Sequence, residues 1–263
     1  RTNPHVGGLA GKYDAREAEK MRGVHKIIPV TGGAGVIADN TWRAIQAANA
    51  IKFTWDKTTL PATHEQIWGK ISASFHSDMY DSQLKDIGDV DAALDTDDIL
   101  NAEYRIPYLA HAPLEPMNAV VLLKNGRLDI WTGTQIPRFL IATAEKITGL
   151  DAQNIHLHVQ MMGGSFGRRL EDDYVRSAIE LAMAMEGTPV KMTWSREEDM
   201  THDFPRTMQI SRASGVVKEG RVHAYKLDIA ALSTTESQMG RYGLTTVGPD
   251  VAIVAGAWDQ PFS

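Results

Sequence analysis

Residues 154–186 read NIHLHVQMMGGSFGRRLEDDYVRSAIELAMAME. The opening NIHLHVQM alternates apolar and polar side chains, which predicts a β-strand. The closing EDDYVRSAIELAMAME places apolar side chains at helical spacing, which predicts an α-helix. A loop with three glycines separates the two patterns. The stretch therefore predicts a strand, a loop and a helix in succession, as in folds that mix both element types.

The glycine-rich loop has the composition of an anion-binding turn. Gly163, Gly164 and Gly167 permit backbone angles closed to other residues, so that successive N–H groups can point at one ligand. The following helix would add the positive end of its dipole. Arg168 and Arg169 would add charge-assisted hydrogen bonds to a phosphate or to a polarised oxygen.

Two other interpretations of the loop stay open from spacing alone. It is a tight structural turn if Glu171, Asp172 and Asp173 occupy the first helical turn and satisfy the dipole themselves. It is a phosphate- or nucleotide-binding site without redox chemistry if its N–H groups hold a free anion. A P-loop fits poorly, because that motif needs lysine and then serine or threonine where this chain has arginine, arginine and leucine.

The composition is that of an ordinary globular protein, and it excludes several classes of function. The 263 residues are 43% hydrophobic and 23% charged, enough for one large domain or two smaller ones. A net charge of -6 argues against nucleic acids and anionic membranes, which are bound by pooled lysine and arginine. The absence of cysteine excludes disulfides, a cysteine nucleophile and iron–sulfur ligands in this chain. No apolar run has the length of a membrane span.

The sequence before the loop continues the alternation of strands and helices. HKIIPV, GAGVIAD and KFTWD predict strands, and NTWRAIQAANAI predicts a helix capped by Asn40. THEQIWGKISASF has a helical pattern, and the acid-rich stretch after it predicts a domain boundary. Asn125 and Gly126 lie between two alternating runs and predict a type I′ hairpin. Pro137 and Gly149 mark the start and the end of a helix.

After the loop, PVKMTWS predicts a strand, and residues 207–232 predict a long hairpin that turns at Glu219 and Gly220. The predicted fold class is therefore α+β, with mixed sheets and helices. Residues 1–12 contain neither a hydrophobic signal core nor an initiating methionine, so we expect a fragment of a longer protein.

The loop motif MGGSFGRR resembles the glycine-rich loop of the molybdenum hydroxylases, the xanthine oxidase and aldehyde oxidoreductase family, whose usual form is Gly-Gly-Gly-Phe-Gly-Gly-Lys. AHAPLEPMNA, WTGTQIPR, SREEDMTHDF and GAWDQPF resemble other motifs of that family in the same order, most like the isoquinoline 1-oxidoreductase branch. The resemblance implies a partial α/β hammerhead domain in residues 1–58, a linker in residues 59–100 and the first part of a molybdopterin-binding catalytic domain in residues 101–263.

The resemblance also implies a cofactor and a set of site residues. The full-length protein is expected to hold a molybdenum cofactor, with molybdopterin in its cytosine dinucleotide form, and to hydroxylate an N-heteroaromatic or aldehyde substrate with water as the oxygen source. Gln135 matches a glutamine that hydrogen-bonds an oxygen on the metal. Phe166 and Gly167 match the pair whose backbone meets the cofactor. Independently of the resemblance, Phe166 has a second, compatible interpretation as a core aromatic residue that anchors the loop. The implied cofactor-binding residues are Gly163, Gly164, Ser165, Phe166, Gly167 and Arg168.

The sequence departs from the family pattern in informative places. Ser165 replaces a glycine, Arg168 and Arg169 replace glycine and lysine, and Leu170 stands where purine-oxidising members carry glutamate, so xanthine is not the expected substrate. The family's glutamate general base and second cofactor domain have no counterpart, so the segment alone is expected to be inactive and free of molybdenum. Relatives use a small [2Fe-2S] subunit, which implies the same partner here. The compartment, bacterial cytoplasm or periplasm, is left open.

Other polar pairs carry weaker hypotheses. His156 and His158 share a strand face, which suits metal ligands, although an exposed face is the favoured interpretation. His111 and Glu115 suit an acid–base pair in a proline-rigid segment, but the resemblance favours a structural or channel-lining role. The sequence suggests no role for His202 and Asp203. Met161 and Met162 are expected to pack rather than to bind a ligand.

Overall fold

The computed structural model describes residues 1–5, 8, 10–56, 63–76, 82–83 and 85–245. The chain forms two compact units, and each unit is built from two separate segments. Unit 1 comprises residues 1–59 and 110–204, and unit 2 comprises residues 60–109 and 205–263. The predicted α+β class is confirmed. The domain limits predicted from the sequence stay a prediction.

The first segment of unit 1 forms two small antiparallel sheets around one helix. Asn40 caps that helix as predicted, because its side chain accepts a hydrogen bond from the backbone N–H of Arg43 at 3.0 Å. Strand β1 (Lys12–Asp14) pairs with β4 (Lys52–Thr54), and β2 (Val24–Val30) pairs with β3 (Gly33–Ala38). The helix is α1 Thr41–Ala50.

The first segment of unit 2 contains α2 His64–Ala73, α3 Val90–Leu94 and β5 Leu100–Ile106. Thr63 and Gln66 form a capping box at the start of α2, which satisfies two backbone donors that a helix leaves unpaired. Helix α3 lies in the predicted linker. Its five residues are too short to give a helical pattern, and its N-cap is Asp89.

The second segment of unit 1 carries a four-stranded sheet in the order β8-β7-β6-β9. Strands β7 and β8 are parallel, and the other neighbours are antiparallel. Buried apolar side chains of the sheet pack against α4 and α5 to form the largest core cluster. The bounds are β6 Asn118–Lys124, β7 Arg127–Thr132, α4 Pro137–Thr148, β8 Ile155–Val159, α5 Asp173–Met183, β9 Val190–Thr193 and α6 Arg196–Thr201.

Local turn chemistry explains why these elements begin and end where they do. Asn125 and Gly126 have φ angles of 52° and 74°, which confirms the predicted hairpin between β6 and β7. Pro137 is the first residue of α4, and Gly149 ends that helix with φ 71°. Both helix signals are therefore confirmed, because proline tolerates the first turn and glycine tolerates the left-handed C-terminal position.

Replacing Gly149 with alanine is expected to destabilise the protein by about 1 kcal/mol, because a Cβ strains the left-handed backbone. No neighbouring atom lies within 4 Å of that Cβ, so the loss is due to backbone angle alone. Urea unfolding measures the change. Gly149→Asn is the matched control and should lose less, since asparagine adopts this conformation more readily. Equal losses in the two variants would contradict the explanation.

The second segment of unit 2 adds a hairpin to β5. The turn at Glu219 and Gly220, with φ angles of 50° and 76°, confirms the predicted hairpin position. The resulting sheet has the order β11-β10-β5, and all its pairs are antiparallel. The bounds are β10 Gln209–Lys218, β11 Arg221–Ala231 and α7 Thr234–Arg241. The motif GAWDQPF lies outside the described residues.

Candidate functional site

Two loops leave the four-stranded sheet of unit 1 at the same end of its strands. Thr132 ends β7 and pairs with Val159, which ends the parallel strand β8. The backbone N–H of Gln160 donates to the carbonyl of Thr132 at 2.9 Å, which holds the two chains together beyond the strands. The segment with Gln135 follows β7, and the glycine-rich loop follows β8. The carboxyl ends of adjacent parallel strands are a common place for ligand sites.

The glycine-rich loop is shaped by positive backbone angles. The φ angle is 98° at Gly164, 57° at Phe166 and 108° at Gly167. An L side chain is strained in this region, so the turn requires glycine at two of the three positions. Within the described part of the chain, the N–H groups of Gly164, Ser165 and Gly167 have no hydrogen-bond acceptor. Three backbone donors are thus available to a ligand.

Gln135 lies directly against this loop. Its side-chain carbonyl accepts a hydrogen bond from the Ser165 hydroxyl. Its backbone N–H donates to the carbonyl of Arg169 at 2.9 Å. Among the described residues nothing accepts a hydrogen bond from its side-chain NH₂ group, and the residue is exposed. The structure therefore brings the amide of Gln135 and the loop donors together, although they are far apart in the sequence.

Phe166 does not anchor the loop in the core. Its side chain is 65% exposed. The core interpretation is therefore wrong, although the ring stays close to the loop, with its Cε2 atom 3.3 Å from the position of a Cβ at Gly164. Of the two methionines before the loop, Met161 differs from expectation. Met161 is 97% exposed and Met162 is 40% exposed, so Met161 does not pack as predicted.

Arg168 and Arg169 do not present their guanidinium groups to a ligand. Their exposed fractions are 1% and 0%. Arg168 forms two hydrogen bonds with Asp173 at 2.9 and 2.8 Å and lies 3.5 Å from Asp203. Arg169 donates to Glu115 at 2.8 Å. The expectation of a forked arginine contact with an anion is corrected, because carboxylates of the protein already occupy both side chains.

The helix dipole is also further from the loop than predicted. A short 3₁₀ turn at Arg168–Leu170 follows the glycines, and α5 begins at Asp173. Glu171 and Asp172 therefore precede the helix and are buried, rather than lying in its first turn. The ligand-binding capacity of the loop consequently comes from its own N–H groups and not from a helix N-terminus.

The surroundings of Arg168 favour its charged form. Burial opposes the charged form, but Asp173 and Asp203 outweigh it and raise the pKa of Arg168. The aromatic rings of Tyr174, Trp194 and Phe204 lie 5.9, 5.6 and 5.6 Å from the guanidinium carbon. Aromatic faces add attraction to a cation at such distances. Arg168 is thus a structural cation beneath the loop.

Glu115 holds the start of the loop rather than forming an acid–base pair. Its Oε2 atom accepts from the backbone N–H of Gly163 and from Arg169, both at 2.8 Å. Its Oε1 atom accepts from Asn118 at 3.0 Å. Burial opposes ionisation, but these hydrogen bonds and the charge of Arg169 outweigh it and lower the pKa of Glu115. The carboxylate is therefore a fixed acceptor at neutral pH.

His111 pairs with Asp203 instead of Glu115. Asp203 accepts from the backbone N–H of His111 at 2.5 Å and lies 2.8 Å from its ring Nδ1. The opposite ring atom, Nε2, would be 3.0 Å from a Cβ at Gly167, so the imidazole occupies the side-chain space of that glycine. This role of Asp203 was not predictable from the sequence, since its partners lie far away along the chain.

We predict that Asp203 stabilises the fold in a pH-dependent way. Burial opposes its ionisation, but hydrogen bonds from His111 and the charge of Arg168 lower its pKa below the ordinary 3.8. The stabilisation is therefore present above pH 3.8 and is lost as the pH falls further. Asp203→Asn should be less stable than the wild type at pH 5 by roughly 1.5–3 kcal/mol, with a smaller gap at pH 3. Urea unfolding at both pH values measures it, and a constant gap would contradict it.

The histidine pair on β8 does not form a metal site with neighbouring side chains. His158 Nε2 lies 2.8 Å from Asp129, and its ring stacks on Trp131 at 4.8 Å. No group of three His, Asp or Glu side chains suited to a metal ion occurs within the ranges that the structure describes. In those same ranges, no helix has both the length and the apolar character needed to cross a bilayer.

Comparison with known proteins identifies the loop's context. Residues 75–249 match the molybdopterin cofactor-binding domain. The chain belongs to this family. The match includes Gln135 and the whole glycine-rich loop, and it confirms the resemblance that the motif order predicted.

Relatives of this molybdopterin-binding chain are oxidoreductases by name. Isoquinoline 1-oxidoreductase subunit beta of Brevundimonas diminuta is 26% identical over 88% of the chain and 31% of the relative. Membrane-bound aldehyde dehydrogenase (pyrroloquinoline-quinone) of Gluconacetobacter polyoxogenes is 27% identical over 78% of the chain and 28% of the relative. The crystal structure of quinoline 2-oxidoreductase from Pseudomonas putida 86 shares the fold, with a TM-score of 0.63 at 16% identity, over 87% of this chain and 35% of that one. The chain thus spans about a third of the length of these proteins.

The donors of the loop fit a molybdopterin cofactor chemically. Such a cofactor offers oxygen acceptors, and the available groups are the NH₂ of Gln135 and the N–H groups of Gly164, Ser165 and Gly167. The Gln135 carbonyl already accepts from Ser165, so its free group is the NH₂ donor. This donor and the backbone N–H groups match an oxo group or a phosphate. The buried arginines do not take part in this match, because their guanidinium groups are buried and paired with carboxylates.

Proposed function

We propose that this chain is part of the molybdenum-binding subunit of an oxidoreductase that hydroxylates an N-heteroaromatic or aldehyde substrate, with water as the source of oxygen. The observation that carries the proposal is the contact between Gln135 and Ser165, which sets an amide donor beside loop N–H groups, all without an acceptor among the described residues. The names of the relatives support the two substrate classes. The domain limits 1–58, 59–100 and 101–263 are part of the same proposal.

Each loop residue has a stated task in the proposal. When bound, the molybdenum cofactor supplies the two-electron oxidation and transfers oxygen from water. Gln135 donates through its side-chain NH₂ to an oxygen of the cofactor, and Gly167 donates through its backbone N–H. Gly163, Gly164, Ser165 and Phe166 shape the turn that receives the cofactor. Arg168 contributes from below, by fixing the turn, and not by direct contact through its guanidinium group.

We further propose that the cofactor has the cytosine dinucleotide form and that a small [2Fe-2S] subunit accepts the electrons. Substrate oxidation releases two electrons, and this chain has no cysteine to hold a cluster. Separation of the purified complex by denaturing electrophoresis, followed by iron and sulfide analysis of each subunit, tests the partner. Complete transfer of electrons to the native acceptor by the large subunit alone would contradict it.

Metal and isotope analysis of the full-length protein tests the function. The expected result is stoichiometric molybdenum, with oxidation of isoquinoline or benzaldehyde and incorporation of ¹⁸O from labelled water into the product. A phosphate- or nucleotide-binding protein would instead show nucleotide binding by calorimetry and no molybdenum. That second result would overturn the proposal, because the loop donors would then serve a free anion.

A further inference from the structure

We propose that Arg169 is a positioning residue that sets Gln135 in register with the glycine-rich loop, and that it does so through Glu115. The inference rests on the proposed function, because it assigns Gln135 to the cofactor. Nothing in the sequence motif suggested it, since an arginine after a glycine loop suits anion binding better. The buried position of Arg169 excludes that direct role and calls for another.

The contacts of Arg169 reach both loops at once. Its backbone carbonyl accepts from the N–H of Gln135 at 2.9 Å, and its backbone N–H donates to the Ser165 hydroxyl at 3.2 Å. The same hydroxyl donates to the Gln135 side chain. The Gln135 amide is therefore held at its backbone by Arg169 and at its side chain by a hydroxyl that Arg169 also contacts.

The side chain of Arg169 extends this connection beneath the loops. Its Nε donates to the carbonyl of Gly164 at 3.3 Å, and NH1 donates to the carbonyl of Gly133 at 3.4 Å. NH2 donates to Glu115 at 2.8 Å. Gly133 lies two residues before Gln135, and Tyr174 also donates to its carbonyl, at 2.5 Å. One guanidinium group thus contacts the segment after β7 and the loop after β8.

Glu115 makes the arrangement stable in a buried place. A buried guanidinium is costly unless a carboxylate compensates it, and Glu115 supplies that charge. The same oxygen of Glu115 accepts from the N–H of Gly163, so the ion pair also fixes where the loop begins. Lysine at position 169 would keep the charge but lose the planar guanidinium group, whose three nitrogens donate to Gly164, Gly133 and Glu115. The geometry therefore requires arginine itself.

A double-mutant cycle in the full-length protein tests whether Arg169 acts through Gln135. Molybdenum content and turnover per molybdenum are measured for Arg169→Lys, Gln135→Ala and the double variant. Arg169→Lys is expected to lower turnover per molybdenum about tenfold or more, because small misplacements of a catalytic group have large effects. In the Gln135→Ala background the same change should have an effect of less than about twofold. Additive effects would overturn the proposal.

Hydrogen exchange in cofactor-free protein gives a readout that does not depend on the proposed function. Arg169→Lys should accelerate hydrogen exchange at the backbone amides of Gly163 and Gln135. In the wild type the Gly163 amide donates to Glu115, and the Gln135 amide donates to the carbonyl of Arg169. Arg176→Lys is the matched control, since Arg176 is a partly exposed arginine of α5 whose ion-pair partner is the buried Asp172, and the change should affect neither amide. Unchanged exchange in Arg169→Lys would overturn the inference.

Glu115→Gln keeps the proposal testable if Arg169→Lys does not fold. Glutamine retains an acceptor for Gly163 and the shape of the side chain, but removes the charge opposite Arg169. It should accelerate exchange at the Gln135 amide as well, because the buried guanidinium loses its compensating charge. Faster exchange with no molybdenum in any variant would support the inference while rejecting the proposed function. Normal molybdenum content with unaltered exchange would support the proposed function and reject the inference about Arg169.

Discussion

Gln135→Ala in the full-length protein is expected to lower turnover per molybdenum about a hundredfold or more, with little loss of molybdenum. Gln135 presents a side-chain NH₂ beside the loop donors, and no described residue accepts a hydrogen bond from it. Removing one positioned donor from a developing charge costs about 2.7–4 kcal/mol in the transition state. The cofactor should still bind, because the loop N–H groups are unchanged. Turnover and molybdenum content are measured together on the same preparation.

A matched control separates this effect from the general loss of a glutamine. Gln153 is exposed in a short 3₁₀ turn between α4 and β8, so Gln153→Ala should leave turnover and molybdenum content at the wild-type level. If Gln135→Ala keeps its turnover per molybdenum, the residue does not contact the cofactor. The segment after β7 would then serve only to start α4.

Arg168→Met is expected to destabilise the protein by about 3–5 kcal/mol. Methionine fills similar space but leaves Asp173 and Asp203 without the cation that they face at 2.8 and 3.5 Å. An uncompensated carboxylate in a buried place is unfavourable, and Asp203 is only 6% exposed. Urea unfolding at pH 7 measures the loss. The aromatic contacts of the guanidinium disappear in the same variant, which adds to the effect.

Two further variants decide whether charge is the cause. Arg16→Met removes an arginine whose ion pair with Asp14 is on the surface, and it should cause no measurable change. Arg168→Met combined with Asp203→Asn should lose less stability than the sum of the two single losses, because the unpaired charge is gone. Additive losses would show that the charge of Asp203 does not explain the effect of Arg168→Met.

Elements with strong local signals were predictable from the sequence. Asn40 caps α1, Asn125 and Gly126 form a hairpin, and Gly149 ends α4, because each depends on backbone angles and donors within a few residues. The predicted helical character of residues 63–75 also agrees with α2. Helix α3 was missed, because five residues do not complete two turns and give no periodic pattern.

The site was predictable in part for the same reason. The glycines of the loop are recognisable because the positive φ angles at Gly164 and Gly167 restrict the residue type. The assignment of Gln135 came from the order of motifs, and its role remains a proposal. The roles of Glu115 and Asp203 were not predictable, since a carboxylate looks the same in sequence whether it faces water, a ligand or a buried arginine.

The sequence by itself determined the succession of strands and helices, the turns between them and the family, because these follow from local backbone preferences and ordered motifs. Only the tertiary structure decided which way the two arginines point. The parallel pairing of β7 and β8 brings Gln135 and the loop together, and the antiparallel pairing of β6 with β7 brings Glu115 to the same end of the sheet. Burial then places each guanidinium against a carboxylate. That charge pairing between distant residues leaves the backbone N–H groups, and not the arginines, to face a ligand.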